Sequence, residues 1–215
     1  MRKKKFTAAA LLAAAALTLS ACSSGSGEPD TAVSEVAADD KAATVLDTPF
    51  EKPDLVLTGT DGKEFDLREE TKGRPTLIYF GYTHCPDICP LTMNNLAVAK
   101  KSLTKAQQDA LRVVFVTTDP DRDTPEELGS WLKGIDSDIV GLTGDFATIQ
   151  AGARTVGISI EKPVEKKDGS YVSTHGTQVI AFSPKTDQGY VLYGEDASVG
   201  DWSADLPELI KGENP

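Results

Sequence analysis

At 215 residues the chain is long enough for one domain with a full hydrophobic core, and 33 acidic against 22 basic side chains give it a net charge of −11. That sign repels nucleic-acid phosphates and anionic headgroups, which argues against a nucleic-acid partner. Three cysteines are too few for a disulfide framework, so the thiols call for a chemical explanation rather than a structural one.

Arg2, Lys3, Lys4 and Lys5 form a basic start, and Phe6 to Leu19 is apolar but short for a membrane span. Residues 1–21 therefore read as a signal peptide, and Leu19-Ser20-Ala21-Cys22 resembles a bacterial lipobox. On that reading Cys22 becomes the lipidated first residue of a mature protein tethered to the extracytoplasmic face of the bacterial cell membrane. Cleavage removes four basic and no acidic groups, moving the charge from −11 to −15. Residues 22–48 are mostly small or charged and read as a flexible tether; residues 49–211 hold the domain, and 212–215 a disordered tail.

Within the domain, Leu55-Val56-Leu57-Thr58 and Glu64-Phe65-Asp66-Leu67 flank Asp61-Gly62 and predict a β-hairpin. Thr76 to Tyr82 is a nearly continuous apolar run, the pattern of a strand buried on both faces. A helix is predicted over Leu91 to Leu103, with Pro90 at its first position, and a second buried strand over Leu111 to Thr117. Strand, helix and strand in that order make a βαβ unit, with its strands parallel. Thr124, Pro125 and Glu127 mark the next helix start. A short strand at Ile139–Leu142 and a helix over Phe146–Val156 follow. Ile158-Ser159-Ile160 and Tyr171-Val172-Ser173 flank a polar turn. Thr177–Phe182 and Tyr190–Tyr193 predict an antiparallel pair, and a last helix covers about Val199 to Ile210. The layout is that of a thioredoxin-like α/β domain: a central mixed sheet flanked by helices, with an N-terminal hairpin.

The chemistry concentrates in Gly81-Tyr82-Thr83-His84-Cys85-Pro86-Asp87-Ile88-Cys89-Pro90, at a strand-to-helix turn. A thiol there meets the positive end of a helix, which favours thiolate. The only histidines are His84 and His175. His175 stands just before the Thr177 strand, where thioredoxins carry a proline, and this chain has none between Pro163 and Pro184. Two thiolates and one imidazole satisfy Cu(I) in a three-coordinate site. Zinc would want a fourth ligand, from Asp87 or water. A plain Cys85–Cys89 disulfide with His175 unrelated is the third reading.

The glycine-to-proline motif, together with Asp119-Pro120-Asp121-Arg122-Asp123-Thr124-Pro125, Gly141-Leu142-Thr143-Gly144 and the distal His175, resembles the Sco/SenC family of copper chaperones for cytochrome c oxidase. The likeness runs from about Pro53 to Leu192. It implies copper, as Cu(I) or Cu(II), on Cys85, Cys89 and His175, and delivery to the binuclear copper (CuA) centre in the oxidase's copper-bearing subunit. It also admits a Cys85/Cys89 dithiol that keeps oxidase cysteines reduced and is itself oxidised to the disulfide. Another copper chaperone or a thioredoxin-like reductase would be a further partner. The resemblance assigns no catalytic residue, and Asp87, Asp119 and Arg122 would stand around the ligands rather than among them. Where the family often has an acidic residue before the histidine, this chain has Thr174.

Overall fold

The computed structural model describes residues 42–168 and 171–215. The expected leader, Cys22 and most of the expected tether (residues 22–41) lie outside the described residues. In chain order the strands are β1 (Ala43–Glu51), β2 (Val56–Gly59), β3 (Glu64–Asp66), β4 (Thr76–Gly81), β5 (Arg112–Thr117), β6 (Val140–Thr143), β7 (Val164–Glu165), β8 (Tyr171–Val172), β9 (Val179–Phe182) and β10 (Gln188–Tyr193). The helices are α1 (Leu67–Glu70), α2 (Ile88–Lys100), α3 (Lys105–Ala110), α4 (Pro125–Lys133), α5 (Phe146–Thr155) and α6 (Val199–Lys211).

Eight strands form one sheet in the order β1-β10-β9-β4-β5-β6-β2-β3, and β7 pairs with β8 apart from it. Every residue of β4 is buried, as its apolar run demands. It pairs in parallel with β5, Thr76 opposite Arg112 through Gly81 opposite Thr117. On its other side it pairs antiparallel with β9, Ile78 opposite Ile180. Alternation along β4 sends Leu77 and Tyr79 into a core shared with Met93 and Leu96 of α2, Leu128 of α4 and Trp202 of α6. Ile78 and Phe80 enter the opposite core with Leu67, Ile149 of α5 and Ile158. Each such side chain, fully buried, contributes about 1.5–3 kcal/mol. The mixed sheet covered on both faces is the thioredoxin-like arrangement the sequence predicts. Among the described residues no helix is long and apolar enough to cross a membrane.

Several boundaries move. The stretch expected as tether to residue 48 is ordered from Ala43, because β1 pairs with β10 (Val45 opposite Val191, Phe50 opposite Gly189). Helix α2 starts at Ile88 rather than Leu91. Pro90 is tolerated in its first turn because the N–H it lacks would have had no intrahelical partner there. Ile158 and Ile160 are buried in the core without forming a strand; the hairpin expected there is instead Val164–Glu165 with Tyr171–Val172. Helix α3 was not legible from apolar periodicity, and is held at its start by a capping box between Thr104 and Gln107. The expected disordered tail is tied down through residue 213: Gly212 takes a left-handed φ of 74°, and the Glu213 N–H donates to the Glu208 carbonyl at 3.0 Å.

Candidate metal centre

The buried strand β4 delivers the chain to Gly81, and the turn that follows closes with the Cys85 N–H donating to the Tyr82 carbonyl at 3.2 Å. Because α2 starts early, Cys89 lies in its first turn, and its backbone N–H donates to Cys85 Sγ at 3.4 Å. An amide that the helix cannot satisfy itself is thus spent on a sulfur. Gly81 is dictated by packing. A Cβ there would lie 2.6 Å from Tyr79 Cε1 and 2.9 Å from Cys89 Sγ, so only glycine lets the sulfur reach the end of the strand.

His175 arrives from the other half of the domain. The Gly176 N–H donates to the Phe80 carbonyl at 2.9 Å, pinning the loop before β9 to the end of β4. A Cβ on Gly176 would crowd Ile158 Cδ1 at 3.1 Å and the Phe80 carbonyl oxygen at 3.3 Å. The His175 Nδ1 lies 2.7 Å from the Gly176 carbonyl oxygen. A carbonyl only accepts, so Nδ1 carries the proton and Nε2 keeps its lone pair for a metal. Nε2 lies 3.8 Å from Cys85 Sγ, and Nδ1 lies 3.9 Å from Cys89 Sγ. The donor atoms of Cys85, Cys89 and His175 all fall within 4.8 Å of one another.

Both cysteines are free thiols at 7% and 0% exposure. Burial pushes the Cys89 thiol up to about 12, against the opposing pull of the Tyr79 hydroxyl and the Tyr82 backbone. Tyr82, whose ring centroid lies 5.4 Å from that of His175, is also raised to about 12, first by burial and then by the neighbouring Cys85. A metal ion therefore meets two buried thiols and a half-buried imidazole, must displace the Cys89 proton, and finds in two soft sulfurs with one nitrogen a set that fits copper.

A second layer of contacts holds the two ligand loops. The fully buried Asp123 accepts from the Thr83 N–H at 3.0 Å, the Thr83 hydroxyl at 2.6 Å and the Thr117 hydroxyl at 2.6 Å. Asp119 pairs with Arg122 through Nε at 2.6 Å. Arg122 also donates to the Ser173 hydroxyl at 3.3 Å and lies over the Tyr171 ring at 4.4 Å. Both partners belong to the segment that leads into His175. The Thr174 hydroxyl is occupied by the Glu161 backbone, accepting its N–H at 2.5 Å, so this residue braces the loop.

Asp119 and Arg122 hold the segment before His175 and are not among the three donors. Asp87 is exposed, and its side chain makes no cap bond to α2. His84 is 52% exposed, lies 3.6 Å from Asp123, and is outside the donor group. Sequence reasoning gave no site role to Asp123, although its motif marked a helix start and carried part of the family resemblance, and none to Tyr79, whose place in a buried strand concealed a polar task.

A sequence model of the SCO1/SenC family matches residues 42–209. The chain is 32% identical over 144 residues to the "Putative copper-binding protein" of Stutzerimonas stutzeri, covering 66% of this chain and 70% of that one. Identity is also 32% to the mitochondrial SCO1 homolog 1 of Arabidopsis thaliana, of whose length the match covers 42%. Among solved structures, copper-bound ScoI of Bradyrhizobium japonicum superposes with a TM-score of 0.63 at 29% identity, over 74% of this chain and 96% of that one. Apo Sco1 of Thermus thermophilus gives 0.69 at 28% identity, over 80% and 99%.

Proposed function

The chain belongs to the SCO1/SenC family, and from that premise we propose that it is a copper metallochaperone of cytochrome c oxidase assembly. Cys85, Cys89 and His175 take the ion and hand it to the binuclear copper centre of the oxidase. The observation that carries this reading is the convergence of those three donors within 4.8 Å, from segments ninety residues apart, in a pocket whose backbone contacts already orient the imidazole. Copper is cargo here. The thiols give up protons to receive it, and Nδ1–H stays on the Gly176 carbonyl so that Nε2 can bind. Partial exposure of His175 leaves one side on which a recipient's ligands can enter. A lipid on Cys22 would hold the domain at the extracytoplasmic membrane face, where the recipient stands.

A second reading is favoured by the unbridged, adjacent thiols: a thiol–disulfide reductase that keeps the recipient's cysteines reduced. One variant separates the two. His175→Ala should weaken Cu(I) binding by about an order of magnitude or more, through loss of one of three ligands, while Cys85 and Cys89 still close to a disulfide. X-ray absorption of the reduced, loaded parent should report two sulfurs and one nitrogen. Full copper affinity in the variant, with an unchanged spectrum, would overturn the assignment of the nitrogen ligand and with it the chaperone reading.

A further inference from the structure

The phenol of Tyr79 is fully buried, in the same core cluster as both cysteines. Its hydroxyl donates to Cys89 Sγ at 3.5 Å, a normal length for a bond to sulfur. Its ring is fixed by β4 and by Phe115, with centroids 5.8 Å apart. The contact is built rather than incidental, because a side chain at Gly81 would occupy the space in which the ring edge and the sulfur meet. A tyrosine that only filled the core would leave a buried hydroxyl unpaired, at a cost of about 1–3 kcal/mol; here the partner is a metal-ligating sulfur.

We propose that Tyr79 is a positioning residue that sets the redox poise of the site, its O–H bond to Cys89 favouring the reduced thiol pair over the disulfide and Cu(I) over Cu(II). A donor to sulfur withdraws electron density from it. That stabilises the more electron-rich partner of each couple, as hydrogen bonds do at other metal–thiolate centres. In the disulfide Cys89 Sγ is a poorer acceptor, so the bond is worth most after reduction.

The test is Tyr79→Phe, which keeps the ring and deletes the donor. Metal-free protein is equilibrated with dithiothreitol, which gives two electrons and two protons to the Cys85–Cys89 disulfide and closes to its own cyclic disulfide. The exchange constant should move about five- to tenfold toward the protein disulfide, a midpoint about 20–30 mV more negative. In Cu(II)-loaded protein the sulfur-to-copper charge-transfer band should shift to lower energy, and the preference for Cu(I) over Cu(II) should fall. A fluorinated tyrosine at position 79, a stronger donor of nearly the same shape, should move all three the other way. A change in packing alone would not reverse sign, and this arm decides the matter if Tyr79→Phe fails to fold. An unchanged exchange constant in a folded variant, or shifts of the same sign in both, would overturn the proposal. The copper arm rests on the function proposed above and the dithiothreitol arm does not. Protein that holds no copper yet shows the thiol shift would sink the chaperone reading and leave Tyr79 its role.

Discussion

Asp123 shows how a residue outside the donor group can hold the cysteine loop. Its carboxylate, fully buried, is the common acceptor for a backbone N–H and two hydroxyls. Asp123→Ala would leave Thr83 and Thr117 with unsatisfied donors, and should lower the unfolding free energy from urea titration by about 2–4 kcal/mol. A loss under about 1 kcal/mol would mean the cysteine loop holds its own shape. Cys89 carries a prediction about pH. Its thiol is raised to about 12 by burial, so in the metal-free protein Cys89 keeps its proton at neutral pH and copper must expel it. Apparent Cu(I) affinity, measured against a competing chelator from pH 6.5 to 8.5, should rise about tenfold per pH unit for each proton released. A flat profile would mean that the thiolate forms without the metal. The same raised value makes the folded metal-free protein favour the neutral thiol. That share of stability is complete below about pH 8.5, the unfolded value, and is lost as pH climbs toward 12.

At the next scale, α2 is fixed at both ends, by the sulfurs at its start and by Lys100 at its last residue. Lys100 is 4% exposed and reaches Asp136 at 2.9 Å and Asp138 at 3.2 Å, beyond the end of α4. Burial pushes the Asp136 carboxyl up, but the Asp138 N–H and the Lys100 ammonium outweigh it and hold it below the usual range. A carboxyl lower in the folded state contributes stability that is whole above about pH 4 and lost as pH falls further. Asp136→Asn should therefore destabilise at pH 7 and flatten the acid limb of the stability profile; parallel limbs would place the acid sensitivity elsewhere. How much of these elements could be read beforehand follows from what forms each one. The central strands β4 and β5 announce themselves because burial on both faces leaves a continuous apolar run. Thr124 with Pro125 marks α4 because caps are local chemistry. In contrast, β1 alternates only weakly and exists because β10 offers it an edge, while α3 buries no side chain at all. The cysteine motif pointed to the donors through spacing and His175 through its place before β9. The Phe80–Gly176 bond and the Thr83–Asp123 bonds are tertiary facts, and no local window of sequence contains both partners.

For the molecule as a whole, the first of the described residues to pair is Ala43, opposite Tyr193, twenty-one positions beyond the proposed anchor. Cys22→Ala should move the protein from the membrane to the soluble fraction and leave the thermal midpoint of the domain within about 1 °C, since residues outside the core contribute little to its stability. Retention on membranes after a carbonate wash would rule out Cys22 as the attachment point. The pairing of Ile78 with Ile180 has a further consequence, for the order in which the protein comes into being. Strand β4 is laid against β5 by a short local crossover, but its other edge waits for a strand about a hundred residues later, and closing so long a loop is slow. During synthesis and refolding the two sulfurs are therefore together well before the imidazole joins them. The two tryptophans divide this history, Trp131 packing on Phe115 and Trp202 on Tyr193. In a Trp131→Phe background, Cys89 should become protected from a thiol reagent in the same kinetic phase in which Trp202 fluorescence changes. Protection that precedes that change would mean the earlier half of the chain can close the pocket alone. A ribosome-bound chain halted before residue 175 would offer a metal ion two sulfurs and no nitrogen, and the complete coordination set would appear only with the last strands.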